Sequence, residues 1–124
     1  ILMKAHPNEA LRYIVIPTEP DYDDASEVNL EDISKKYEVS ISKLMKWNEL
    51  TSNTLKEGQI LFLEKKNSSG SIDTYRAEKG ESMYSISQKF AIRLDKLYDK
   101  NRMEYGDKVK EGQIIYLKNR KPRN

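Results

Sequence analysis

Cysteine is absent from this 124-residue chain, so no disulfide staples a small fold, and no thiolate metal site or thiol nucleophile is available. That absence leaves the compartment open, because reduced cytosolic proteins and many envelope proteins both do without cysteine. Histidine occurs once, at His6, with no second histidine or cysteine to share a metal, which makes it a tail residue in preference to a ligand or general base. A charge excess of either sign is missing too: Lys+Arg number 22 against Asp+Glu 20, with 34% of residues charged. This is a soluble, balanced surface and not the basic face of a nucleic-acid binder. There is no apolar run near the roughly 20 residues that span a bilayer, and no signal-peptide core. Ile1 stands where a complete translation product carries its initiator methionine, so the expectation is a fragment of a longer protein.

What the chain does contain, it contains twice. Leu30–Leu50 (LEDISKKYEVSISKLMKWNEL) matches Met83–Met103 (MYSISQKFAIRLDKLYDKNRM), and Leu55–Leu63 (LKEGQILFL) matches Val109–Leu117 (VKEGQIIYL). A repeat of roughly 50 residues means two copies of one supersecondary unit, each near the lower size limit for folding alone. The repeated residues form a scaffold and its turns and include no reactive cluster, which favours binding over chemistry.

In the first copy, Arg12–Ile16 (RYIVI) is a β-branched and aromatic run stopped by Pro17, which predicts a strand. The stretch 17–27 is acidic, Pro-containing and aperiodic, and reads as a loop. Asn29 is a helix N-cap candidate with Glu31 and Asp32 in the first turn, followed by Leu30, Ile33 and Tyr37 at helical spacing. Ser40 can cap a second helix with an apolar stripe of Ile41, Leu44 and Met45, and Asn48 falls where it should stop, in a left-handed backbone that asparagine tolerates. Gly58 supplies a positive φ before the strand Ile60–Leu63. Asn67–Ser71 (NSSGS) has the composition of a flexible connector. The second copy repeats the order: strand Thr74–Glu78, turn Lys79-Gly80-Glu81, Ser82 as N-cap of a helix with Met83, Ile86 and Phe90, a further helix ending at Asn101, and strand Ile114–Leu117. This divides the chain into an N-terminal extension (1–11), repeat one (12–65), a linker (66–72), repeat two (73–118) and a basic tail (119–124). The Lys118–Arg123 run (KNRKPR) reads as a solvated end that frays, with contact to a polyanion or acidic wall polymer as the alternative.

At G-E-S-M-Y-S-I-S-x-K-F, x-L-x-x-L-Y-x-x-N and V-K-E-G-Q-I-I-Y-L the second copy resembles a LysM (lysin motif) module, continuously over Tyr75–Leu117. Repeat one resembles the same family from Asn29 to Leu63, but Glu27-Val28-Asn29 stands where the family has Gly-Asp/Glu-Ser/Thr. The resemblance implies an α+β fold of two βααβ units, each with a two-stranded antiparallel sheet and two helices packed on one side. It also implies binding of N-acetylglucosamine-containing glycan such as peptidoglycan or chitin, in a shallow groove between the strand-one/helix-one and helix-two/strand-two loops. Carried over, that groove comprises Gly80, Glu81, Ser82, Met83 and Tyr84 facing Arg102, Met103, Tyr105 and Val109 in repeat two. The weaker counterpart in repeat one is Val28, Asn29 and Leu30 facing Glu49, Leu50 and Leu55.

Tyr84 and Tyr105 have no aromatic counterpart in repeat one, and one of them is a candidate to flank the sugar, against the plainer reading of tyrosines packed on a helix end. Trp47, aligned with Lys100, is expected to pack on the acidic loop or the other repeat, with sugar stacking as the alternative. The carboxylates Glu19, Asp21, Asp23, Asp24 and Glu27 lack the spaced pattern of a calcium loop and read as solvated. No carboxylate pair sits on a motif, so no catalytic residue, metal or cofactor is expected. The expectation is a non-catalytic, wall-associated binding region of the bacterial envelope, attached to an upstream domain such as a murein hydrolase. The rival reading is a structural module in which repeat one docks on a partner protein or the upstream domain.

Overall fold

The structure, a computed structural model, describes residues 3–6, 9–16 and 29–123. The acidic loop 17–27 and Val28 lie outside the described residues. In chain order the elements are β1 (Met3–His6), β2 (Glu9–Val15), α1 (Leu30–Tyr37), α2 (Ile41–Trp47), β3 (Ile60–Phe62), β4 (Thr74–Arg76), α3 (Met83–Phe90), α4 (Leu94–Lys100) and β5 (Ile114–Tyr116). They fall into two compact units, most of one being Leu11–Lys65 and most of the other Lys66–Asn124.

Both units are βααβ, as the repeat implied. In the first, β2 and β3 pair antiparallel with Tyr13 opposite Phe62, Ile14 opposite Leu61 and Val15 opposite Ile60. In the second, β4 and β5 pair antiparallel with Thr74 opposite Tyr116, Tyr75 opposite Ile115 and Arg76 opposite Ile114. The first sheet has a third strand, β1, on the far side of β2. The sequence pattern places residues 1–11 in an extension and predicts only two strands for this sheet. Pairing at a sheet edge is made by main-chain groups and needs no side-chain alternation, so pattern alone missed it.

The conserved spacing of apolar residues inside the chain produces matching cores. Ile14, Ile16, Leu30, Ile33, Leu44, Leu61 and Leu63 close the first, with Tyr37, Val39, Ile41 and Met45 packed around them. Ala77, Met83, Ile86, Phe90, Ile92, Leu94, Leu97, Tyr98, Ile115 and Leu117 close the second. Each fully buried Leu or Ile contributes about 1.5–3 kcal/mol of transfer free energy, which is how units without disulfides hold together. Tyr13 and Phe62 pack ring to ring across the strands, 6.0 Å between centroids.

The repeated K-E-G-Q has a local cause. The Gln59 N–H donates to the Lys56 carbonyl (3.1 Å), while the Lys56 N–H donates to the Gln59 side-chain oxygen (2.8 Å). In the second unit the same two bonds join Gln113 and Lys110 at 3.0 Å each. The third residue of each turn has positive φ, 77° at Gly58 and 84° at Gly112, a conformation that favours glycine. Each turn then feeds its strand: Gly58 N–H bonds the Ile16 carbonyl at 2.9 Å and Gly112 N–H bonds the Ala77 carbonyl at 2.8 Å.

Helices α1 and α3 both end on a left-handed residue that is not glycine, Glu38 (φ 57°) and Ala91 (φ 58°). Glu38 is exposed, so its side chain gains little there while the backbone carries the steric cost of that region. Glu38→Gly is expected to stabilise the first unit by about 0.5–1 kcal/mol, read as a higher urea midpoint for its amides; a lower midpoint would remove the strain argument.

Helices α2 and α4 end differently from the sequence expectation. Asn48 and Asn101 are not left-handed (φ −108° and −97°). The residues after them are: Glu49 at 46° and Arg102 at 54°. The asparagines are instead buried braces. Asn48 Nδ2 donates to the Leu44 and Phe62 carbonyls (both 2.9 Å), and Oδ1 accepts from the Phe62 N–H (2.7 Å). Asn101 does the same with Leu97 (2.9 Å) and with Tyr116 (carbonyl 3.0 Å, N–H 2.7 Å). One amide side chain thus ties a helix end to the last strand in each unit.

The connector is not loose where its composition suggested. Asn67 N–H bonds the Ala91 carbonyl (2.9 Å), Arg93 N–H bonds the Asn67 carbonyl (2.8 Å), and Gly70 N–H bonds the Leu117 carbonyl (2.8 Å). Gly70 is buried, and a Cβ there would sit 3.2 Å from Ile92 Cδ1 and 3.5 Å from Leu117 Cβ. Its glycine serves close packing on the second unit instead of flexibility. Lys66, 2% exposed, donates to Gln88 Oε1 (2.8 Å) of the same unit.

Candidate functional site

The β4–α3 turn and the α4–β5 loop of the second unit carry the residues expected to form its groove. In the turn, Glu81 N–H bonds the Glu78 carbonyl (3.1 Å), and Gly80 has φ 86° with nothing within 4 Å of where a Cβ would stand. Gly80 is therefore both a turn residue and an open one, so a ligand can approach its backbone. The Glu81 carboxylate is engaged by three neighbours. Oε1 accepts from Tyr75 OH (2.7 Å) and from the Glu78 N–H (2.8 Å), and Oε2 pairs with Lys89 Nζ at 3.0 Å. Lys89 Nζ also donates to Tyr75 OH (2.7 Å) and lies 4.7 Å from that ring's centroid.

This triad fixes the turn electrostatically. Burial pushes the Glu81 carboxyl up, but hydrogen bonds from Tyr75, Glu78 and Lys89, with the Lys89 charge, outweigh it and hold the carboxyl below its ordinary range. The Tyr75 hydroxyl and the Glu81 charge push Lys89 up against its own desolvation. Tyr75 is raised mainly by burial and then by Glu81. A carboxyl depressed on folding stabilises fully above its unfolded value, near 4.5, and loses that stabilisation as pH falls through the folded value. Glu81→Gln is therefore expected to flatten the acid limb of the second unit's stability curve below about pH 4.5. Melting temperatures from pH 7 to pH 2.5 provide the check, and an acid limb as steep in the variant as in the parent would contradict the triad.

Ser82 is committed as well: its Oγ accepts from the Ser85 N–H (3.0 Å), while Ser85 Oγ accepts from the Ser82 N–H (2.9 Å), a reciprocal cap on α3. Met83 is 1% exposed and belongs to the core. Tyr84 is half-buried, packed on that core, with Lys66 Nζ 5.9 Å from its ring centroid. The opposite wall is more open. Met103 and Val109 are half-buried on the same core as Met83 and Tyr84. Tyr105 is 70% exposed, with its ring 4.8 Å from that of Tyr98 and tilted by 40°. Arg102 is exposed in the left-handed region, its Nε donating to the Lys121 carbonyl at 2.7 Å.

In the first unit, Asn29 Oδ1 accepts from the Asp32 N–H (2.9 Å) as the α1 cap, and Leu30 is 2% exposed in the core. Leu50 and Leu55 pack on that core half-buried, as Met103 and Val109 do in the second. Glu49 occupies the left-handed position of Arg102, so the two copies carry opposite charge at the same place on the scaffold. Trp47 is half-buried, with Lys43 Nζ 6.0 Å from its ring centroid.

Sequence reasoning missed an open recess in the α4–β5 loop, lined by Met103, Asp107, Lys108, Lys110, Gly112 and Lys121 among others. Gln113 also lines it, its Nε2 lying 4.0 Å from Met103 Sδ. No motif announces it: the recurring K-E-G-Q marks a turn and gives no hint of a concavity. Among the described residues no group of three His, Cys, Asp or Glu side chains is placed to hold a metal ion, and no helix is long and apolar enough to cross a membrane.

Comparison with known proteins agrees with the duplication. The LysM domain family matches residues 29–63 and 75–118. The chain is 33% identical over 96 residues to the probable peptidoglycan endopeptidase LytE of Bacillus subtilis, covering 72% of this chain and 28% of that protein. It is 28% identical over 102 residues to an autolysin of Enterococcus faecalis, covering 72% of this chain and 14% of that protein. The crystal structure of the Bacillus cereus spore cortex-lytic enzyme SleL aligns with 90% of this chain and 24% of its own, at 22% identity and a TM-score of 0.37. The chain therefore spans between a seventh and about a quarter of the relatives it matches.

Proposed function

Because the chain belongs to the LysM family, a peptidoglycan- and N-acetylglucosamine-binding module without catalytic activity of its own, we propose that it anchors a larger protein to bacterial peptidoglycan. In this reading it works outside the cytoplasm, on the wall, and its polypeptide also carries a hydrolase domain of the kind named in its relatives. What supports the reading is an unobstructed glycine turn at Gly80 and, on the α4–β5 loop of the same unit, an exposed Tyr105 ring with Met103 and Val109 half-buried on the core.

That pairing suits a neutral, amide-bearing sugar. Turn backbone supplies N–H and C=O groups to an acetamide, while apolar side chains receive its methyl group and the C–H face of the ring. Glu81 and Ser82 hold the turn and the helix cap, with their side chains and their N–H groups already bonded, so the sugar-facing backbone of this wall is that of Gly80 and the Glu81 carbonyl. A single shallow groove desolvates few ligand atoms and binds weakly; a second module on the same polymer raises the apparent affinity.

An NMR titration of the chain with N-acetylglucosamine oligomers and soluble muropeptides tests the proposal. Amide shifts concentrated at 80–84 and 102–109 are expected, and shifts at 29–30 and 49–55 would report binding by repeat one in the same spectrum. Absence of any shift at millimolar ligand would overturn it.

A further inference from the structure

The C-terminal basic run is part of the second unit's surface and not a fraying end. Lys121 N–H bonds the Lys100 carbonyl (2.6 Å), and the Lys121 carbonyl accepts from Arg102 Nε (2.7 Å). Arg120 Nε donates to the Asp99 carbonyl (3.3 Å), and its Nη2 lies 3.5 Å from Asp99 Oδ1. These bonds fix residues 120–121 against the end of α4, beside Arg102. Lys121 also lines the recess that Lys108 and Lys110 share, so it joins two cationic areas into one strip. The acidic groups facing the strip are Asp99, spent on Arg120, and Asp107 and Glu111 at the recess. Desolvation and the charges of Arg120 and Arg123 push the Arg102 guanidinium below its ordinary value, with Asp99 only partly offsetting them. Like charges are being held together by backbone bonds, an arrangement that an anion relieves.

The first unit supplies an internal contrast. It has the same scaffold and the same left-handed residue after α2, but that residue is Glu49, and its α2–β3 loop, residues 49–59, contains one cation, Lys56.

We infer that the second unit bears a cationic strip, running from Lys108 and Lys110 through Lys121 to Arg102, Arg120 and Arg123 and sharing Arg102 with the proposed glycan groove, that binds a flexible phosphate-bearing polymer. A strip of separated cations matches repeated charges along a chain better than one small anion in a pocket. The arginine fork pairs with the oxygens of a phosphate group two at a time. The near-balanced charge of the whole chain argues against a general attraction to polyanions. The inference stands on the strip alone and does not require the groove to bind sugar.

The test is a titration of the chain with long-chain inorganic polyphosphate at 50 mM and 200 mM salt, followed by amide shifts. The expected result is shifts at 100–102, 108–112 and 118–123, and affinity falling roughly tenfold or more with the added salt. Substituting Lys121→Gln together with Arg123→Gln should weaken polyphosphate about tenfold while leaving the affinity for a neutral N-acetylglucosamine hexamer unchanged. No shifts at low salt, shifts spread equally over the first unit, or equal affinity for polyglutamate would overturn the inference. Tighter binding of duplex DNA than of polyphosphate would overturn it in favour of nucleic acid. Loss of hexamer binding in the parent chain would count against the glycan groove and not against the strip.

Discussion

Replacing Asn101 with alanine is expected to destabilise the second unit by about 2–4 kcal/mol, the cost of losing the buried bond to the Leu97 carbonyl and of leaving the part-buried carbonyl and N–H of Tyr116 without their partner. A unit of this size holds on the order of 3–8 kcal/mol in total, so the substitution removes a large share of it. Asn48→Ala should do the same to the first unit through Phe62. Asn101→Asp, almost the same shape, should be no better than alanine, because it exchanges a donating NH2 for a carboxylate oxygen facing the Leu97 and Tyr116 carbonyls. Urea unfolding followed at the amides of the affected unit gives the number. A loss below about 0.5 kcal/mol for Asn101→Ala would mean that water or a shifted strand replaces the brace.

Tyr105→Ala is expected to weaken binding of N-acetylglucosamine oligomers about fivefold, on the order of 1 kcal/mol, while barely changing the melting temperature. The ring is 70% exposed, so folding gains little from it, yet its stacking against Tyr98 holds it ready as a platform. Tyr84→Ala should behave in the opposite way. That ring is half-buried on the core, so its loss should lower stability and leave sugar affinity within about twofold once the variant is folded. The two variants, compared by calorimetric titration and thermal unfolding, separate a ligand platform from a packing residue. Equal affinity of Tyr105→Ala and the parent would remove Tyr105 from the site.

The parts of this fold legible in the sequence are those whose cause is local. The K-E-G-Q turns could be read because a positive φ at the third position favours glycine, and helix starts could be read because Asn29, Ser40 and Ser82 cap with atoms three residues away. What escaped depends on partners distant in sequence. Asn48 and Asn101 were recognisable as helix ends, but nothing nearby indicates that their amides cross to strands 14 and 15 residues on. Glu81 is legible as a turn residue, but nothing near it in sequence indicates that Tyr75 and Lys89 hold its carboxylate. Gly70 looked like flexibility because the side chains that need its missing Cβ, Ile92 and Leu117, lie elsewhere in the chain. The groove is an expectation drawn from the family resemblance, whereas the recess at Lys108 and Lys110 has no motif to announce it.

The bonds from Asn67 and Gly70 set the size of the piece that can be moved. A graft cut at residue 75, where the family match begins, would leave behind the segment that caps Ala91 and covers Ile92 and Leu117. A chimaera built from that cut would carry every recognisable motif residue and still expose core. The transplantable module starts nearer Lys66, so any fusion or shuffling of this unit keeps its fold only when the apparent linker travels with it.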